Sequence, residues 1–273
     1  MPHSVMWKLL TAADLRAKAA AGAIVVLPVA SMEQHGPHLP VGVDTILTEA
    51  VCQAAAEVVA GDAAVVVAPT LWCGMAEHHM AFGGTFTFDI PTYRSVLHSL
   101  LASIGRHGFK RVLIVNGHGG NIAALAAFLP DIAREIGLEL RVTTYFEQAK
   151  TALGEVLEDQ EGVHHACEAE TSMMLVAAPD SVRRERLSEA YGPAHSSAPP
   201  AGVARYRSFR DITPSGVIGD ARRASPQKGE KLMAACRDGI AAVLRNPETW
   251  SSKPMVEPRR EPLSVADPDH HAR

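Results

Sequence analysis

The chain has 273 residues, 47% of them hydrophobic and 21% charged, with a formal net charge of −4. A chain of this length buries a sizeable core without staples, so folding requires neither disulfides nor a structural metal. The slightly acidic balance leaves no basic footprint for nucleic acid or an anionic membrane surface.

The longest apolar stretches, residues 19–30 and 63–68, fall short of the roughly 20 residues that span a bilayer. The opening MPHSVMWKLL has no basic region followed by a long apolar run, so no secretion signal is expected. Cys52, Cys73, Cys167 and Cys236 are scattered without a CxxC pair. That usage suits free thiols in a reducing cytoplasm, and a cytoplasmic location is the expectation.

Short apolar runs alternate with helical periodicity, which predicts an α/β domain with a mostly parallel central sheet flanked by helices. Residues 23–30 read as a buried strand. Residues 46–59 follow as an Ala-rich helix with Thr45 as its cap. Residues 63–68 form a second strand stopped by Pro69. The next helix, 92–107, has Pro91 at its start, where a missing N–H costs little. A third strand over 111–115 runs into Asn116-Gly-His-Gly-Gly-Asn121. Helix 122–136, strand 138–145 and helix 169–178 follow, the last stopped by Pro179, and an amphipathic helix over 227–244 closes the pattern. No internal repeat is present. Residues 192–219 read as a long surface loop or oligomer arm. One domain is expected over 1–249, with a flexible tail over 250–273.

Thirteen histidines stand out against four tyrosines, and most fall into clusters. The first, Ser31 to Asp44, directly follows a buried strand, where open α/β sheets place their ligands. In an extended chain Glu33 and His35 project to the same side, because strand side chains alternate. Asp44 returns nine residues later, so the loop offers one imidazole and two carboxylates, a ligand set for zinc, manganese or iron. A polar turn with Asp44 capping a helix is the alternative.

His118 in the Gly-rich turn faces the same end of the sheet, as a metal ligand or within a structural turn. The glycines there permit close backbone approach, but no Lys or Ser follows them as in a phosphate-binding loop. The third cluster, His164 to Ser172, enters a helix. Glu168 and Glu170 suit the helix dipole, while His165 and Glu168 are spaced to share one face once that turn has formed. The stretch from Gly74 to Thr85, with Glu77, His78 and His79, lacks the HExxH spacing and reads as pocket wall or loop packing. Cys167, beside the histidines, is the one thiol placed for nucleophilic chemistry.

Met32-Glu-Gln-His-Gly-Pro-His-Leu-Pro40 with Asp44, Asn116-Gly-His-Gly-Gly-Asn121 and His165-Ala-Cys-Glu-Ala-Glu-Thr-Ser172 together resemble the creatininase (creatinine amidohydrolase) family. The stretch from Glu77-His78 to Gly84-Thr85 also fits, and the resemblance spans roughly residues 7–245. It implies a three-layer α/β sandwich with a two-metal centre, zinc, manganese or iron, in a homohexamer acting on a small molecule. Family members hydrolyse C–N bonds of cyclic amides or formamides; one branch trims a short peptide and another acts on an inositol-derived ketone.

By resemblance, Glu33 would bind one metal with His118, His35 the other, and Asp44 would bridge. Creatininase itself has a glutamate ligand two residues after the motif histidine, where this chain has Gly120. Glu170, or failing that Glu168, would supply the carboxylate. His165 would be the general acid, with Glu168 or Glu170 assisting it. The covering tryptophans of creatininase, from the segment before the third cluster, have no counterpart between Thr143 and His165, which argues against creatinine as substrate. A metal-dependent binding protein that keeps the ligands without catalysis is the non-enzymatic alternative.

Overall fold

The computed structural model describes residues 4–158, 160–195, 200–203 and 205–251. The tail expected over 250–273 lies, from residue 252 onward, outside them.

Four strands form one sheet: β1 (Ile24–Val29), β2 (Val65–Val67), β3 (Arg111–Asn116) and β4 (Glu139–Thr144), in the order β2-β1-β3-β4. Every pairing is parallel, with Ile24 opposite both Val65 and Arg111. Because strand side chains alternate, β1, β2 and β3 each feed two separate cores. Ile24, Val26, Leu113 and Val115 pack with α2 (Val43–Val59), α7 (Glu168–Ala177) and α8 (Pro226–Arg245). Val25, Leu27, Val112 and Ile114 pack on the other face with α3 (Ile90–Arg106) and α4 (Ile122–Ile136). The result is the expected three-layer α/β sandwich, with a sheet that is wholly parallel.

The chain winds from β1 to β2 on one side and from β3 to β4 on the other, so direction reverses between β1 and β3. Ligands of open α/β sheets bind outside the strand ends at that switch point. Glu33 follows β1 and His118 follows β3, which brings both motifs to its two lips.

Boundaries differ from expectation where capping differs. α2 begins at Val43 with Gly42 as its cap. Thr45 lies inside the first turn, and its hydroxyl donates to Ser31 O at 3.2 Å instead of capping. Asp44 is therefore a helical residue, held rigidly over the sheet edge. α3 starts at Ile90 because Asp89 caps it, accepting from the Thr92 amide. Three helices were not expected: α1 (Ala12–Ala20), with a Thr11–Asp14 capping box, and the short α5 (Tyr145–Gln148) and α6 (Lys150–Gly154) after β4. Among the described residues no helix is long and apolar enough to cross a membrane.

Candidate metal centre

Beyond β1 the chain passes through Glu33, His35 and the left-handed Gly36 (φ +69°) before returning to α2. Glu33, His35, Asp44, His118 and Glu170 are all at most 5% exposed. Asp44 stands between two imidazoles: its Oδ1 is 3.3 Å from His35 Nε2 and its Oδ2 is 3.2 Å from His118 Nδ1. Glu33 Oε2 is also 3.2 Å from His118 Nδ1, and Glu170 Oε1 is 3.8 Å from His35 Nε2. Two half-sites result, Glu33–Asp44–His118 and His35–Asp44–Glu170, sharing Asp44.

The far nitrogens of both rings decide which nitrogen faces the carboxylates. His35 Nδ1 lies 3.1 Å from the Glu33 carbonyl and His118 Nε2 lies 3.1 Å from the Met75 carbonyl. A carbonyl only accepts, so each of those nitrogens carries the proton. The nitrogens facing the carboxylates are then the ones that titrate, and once deprotonated they would present lone pairs, the orientation metal-binding histidines commonly have.

Burial by itself would depress both rings, but Asp44 and Glu170 hold His35 well above the ordinary histidine range. Glu33 and Asp44 likewise outweigh burial at His118 and raise it to about 10. Asp44, although buried, is held well below the usual carboxylate range by His35 and His118. Converging carboxylates thus demand positive charge between them, from protons or from a cation. Glu33 Oε1 and Oε2, His35 Nε2 and Asp44 Oδ2 are buried without a hydrogen bond. This carboxylate and imidazole donor set fits divalent zinc, manganese or iron. One donor atom each from Glu33, His35 and Asp44 lie within 4.8 Å of one another, as do those of His35, His165 and Glu170, and of Glu33, His79 and His165.

His165 precedes α7 and is held by a bridge to Ile218. Its Nε2 lies 2.8 Å from Gln34 O and 2.9 Å from Gln34 Nε2, and its Nδ1 is turned toward Glu33 Oε1 at 3.6 Å. Burial, with His35 and His79 nearby, keeps this ring well below the ordinary histidine range. Glu168 does not join it. That carboxylate is fully buried on the Lys228 ammonium and accepts from the Glu158 amide at 3.2 Å. α7 starts only at Glu168, so His165 and Glu168 share no helical face. Burial also raises the Cys167 thiol to about 11, which removes its nucleophilic character.

Two residues of the centre carried no expected role. His79 sits 3.2 Å from Glu33 Oε1 through Nε2. Its Nδ1 lies 3.0 Å from the Gln34 amide nitrogen and must accept from it. Nε2 therefore holds the proton and turns it toward the Glu33 carboxylate. Phe209, from the long 192–219 segment, packs 4.3 Å from the His79 ring and 4.7 Å from the His165 ring. His78 stacks on His118 at 5.7 Å. His38 lies behind the cluster on the Thr171 hydroxyl at 2.7 Å.

A side chain at residue 120 would have no room: a Cβ there would meet His118 Nε2 and Met75 O at 2.4 Å. The open face is a cavity of about 330 Å³, lined among others by Glu33, Asp44, His118, His165, Glu170 and Phe209, and no tryptophan is among the described residues that line it.

The creatininase family profile, described as creatinine amidohydrolase, matches residues 8–244. Creatinine amidohydrolase of Pseudomonas putida is 30% identical over 262 residues, covering 90% of this chain and 98% of its own length. A mycofactocin precursor peptide peptidase of Mycolicibacterium smegmatis is 32% identical over 230 residues, covering 81% of this chain and 84% of its own. A crystal structure of creatinine amidohydrolase superposes with a TM-score of 0.79 at 28% identity, covering 92% of this chain and 99% of that one. A manganese form of creatininase superposes with a TM-score of 0.75 at 27% identity over 90% of this chain and 99% of that one. A Zn-Zn form of a creatininase variant gives 0.77 at 28% over 90% and 98%.

Proposed function

The chain belongs to the creatininase family of hydrolases, and from that premise we propose that it cleaves the C–N bond of a small cyclic amide or formamide-type substrate at a centre of two divalent ions. The observation that carries this reading is Asp44, with one carboxylate oxygen on His35 and the other on His118. That is the geometry of a bridging carboxylate between two half-sites. Glu33 and His118 would complete one site, and His35 and Glu170 the other, with zinc, manganese or iron as occupants.

Two ions so held supply a Lewis acid for the carbonyl oxygen and a water whose pKa is lowered toward neutrality. The chain provides the rest. His79 turns its Nε2 proton toward the Glu33 carboxylate. With its Nε2 proton on the Gln34 carbonyl, His165 would offer Nδ1 as the atom that takes a proton and returns it to the leaving nitrogen. Amines leave poorly until protonated, which gives that step its purpose. Phe209 adds an apolar ring against His79 and His165 on the same face. Glu168 has no place in the reaction.

Peptide trimming is the second reading. The lack of a tryptophan over the cavity favours it, because an uncovered centre admits a longer amide.

The test is metal content per chain, measured by inductively coupled plasma mass spectrometry on untagged protein purified without added metal. About two equivalents are expected. Asp44→Ala should lose both and His118→Ala one, with circular dichroism unchanged and turnover of a lactam and amide panel abolished. Absence of metal, with no uptake on reconstitution, would overturn the proposal.

A further inference from the structure

A second cavity, of about 610 Å³, adjoins the one over the metal centre. The two share four wall residues, Phe146, Glu147, Val163 and His164, so a molecule reaching the first can extend into the second. Binding pockets fall at about 300–1,000 Å³, and each of these is already of that size. A lone small ring on the metals would leave the larger of the two unused.

The charges around the second cavity are specific. Its wall carries Glu147, Glu158 and Glu161 and one ammonium, Lys150. Glu158 is already engaged, by Arg223 at 2.8 Å and Lys228 at 2.5 Å. Glu147, Lys150 and Glu161 are solvent-exposed and stand in no ion pair among the described residues. Glu147 and Lys150 are three apart in sequence, yet Ala149 (ψ 2°) breaks the helix between α5 and α6, so they are not stacked on one helical face. Carboxylates and an ammonium left apart around one hollow are matched by a ligand that carries both opposite charges, and a concave wall strengthens each interaction relative to open solvent.

We propose that this cavity is the subsite for the uncleaved arm of the substrate, and that the arm is an amino-acid-type zwitterion, its carboxylate met by Lys150 and its ammonium by Glu147 and Glu161. The inference rests on the amidohydrolase reading and narrows its substrate class: a ring or open amide on the metals, with a charged arm passing between Phe146 and His164.

The test uses the metal-loaded, full-length enzyme and three amides with the same ring. One is bare, one bears an α-amino-acid arm, and one bears that arm capped as the N-acetyl methyl ester. The free arm should raise kcat/KM over both others by about tenfold or more, the worth of one well-placed ion pair. Lys150→Met and Glu161→Gln should each pull that ratio toward one. Glu57→Gln, a charge change on the exposed face of α2, should leave it intact. Equal kcat/KM for the three amides, or a ratio that survives both cavity variants, overturns the subsite. Failure to cleave any of them with the metals bound is a different result, since it sinks the amidohydrolase reading beneath it.

Discussion

At position 120 the backbone passes so close to His118 and Met75 that only a hydrogen fits. No carboxylate can therefore stand at that point, and the carboxylate facing His35 is Glu170, from α7. Gly120→Ala should push His118 off its carbonyl anchor. We expect the variant to bind one ion instead of two, and to lose at least about 1 kcal/mol of stability in urea melts, the scale of overpacking a tight site. Full metal content with unchanged stability would show that the turn yields more readily than its contacts suggest. The cluster beside it was legible in the sequence because Glu33, His35 and His118 crowd two short loops after strands, with Asp44 nine residues beyond His35. His79 and Phe209 were not: one is a histidine in a stretch that reads equally as loop packing, the other a single aromatic in a long irregular segment. Only folding brings them onto Glu33 and His165.

At the scale of the element, α7 explains why Glu170 faces His35 while Glu168 is turned away to Lys228. Residues two apart on a helix point to nearly opposite sides, so only one of the pair can face the centre. Residues 168–175 are buried all round, which erases the polar stripe that would have told the two apart. Glu168 instead ties α7 to Lys228 near the start of α8. Removing one partner of a buried pair strands the other, at about 3–5 kcal/mol. Lys228→Met should show a loss of that order in chemical denaturation while keeping its metal content, because the ligands lie on the other side of α7. Glu168→Leu together with Lys228→Met should recover much of the loss, since the desolvated charge goes with its partner. A drop in bound metal in Lys228→Met would instead tie Glu168 to the centre. The displaced start of α2 has a similar cause. Gly42, with no side chain to cap, gives a weaker sequence signal than Thr45 three residues on, and the true boundary moves Asp44 from a loop into a helix.

Over the whole molecule β1, β2 and β3 were readable because they are buried on both faces and spell nearly continuous apolar runs, whereas the edge strand β4 mixes exposed and buried positions. α1 escaped notice because no residue of it is buried, so it has no apolar stripe to read. The same deep burial governs the thiols. Burial raises Cys167 to about 11 and Cys236 to about 12, and lifts Cys52 and Cys73 as well. Since the thiolate is the reactive form, a raised value means less of it at a given pH. Native protein at pH 8 should resist a thiol-directed reagent, and all four cysteines should react once it is denatured. Rapid labelling of the native chain would contradict the packing around them.

The metal centre makes a parallel demand on global stability. Glu33, Asp44 and Glu170 are drawn into the interior against their desolvation cost, and only positive charge between them offsets it. Metal-free protein meets that need with protons on His35 and His118; cations held there would displace those protons and engage the atoms that otherwise lack hydrogen bonds. Ions that bind the folded chain and not the unfolded one stabilise it by mass action, by about 2.7 kcal/mol at a hundredfold excess over Kd. For a chain of this size that raises the melting midpoint by about 5–10 °C. Chelation should therefore lower Tm by that much, and either zinc or manganese should restore it. In Asp44→Ala, which removes the shared carboxylate, chelator and metal should both leave Tm where it is. An Asp44→Ala protein that still responds would move the stabilising ions away from the switch point between β1 and β3.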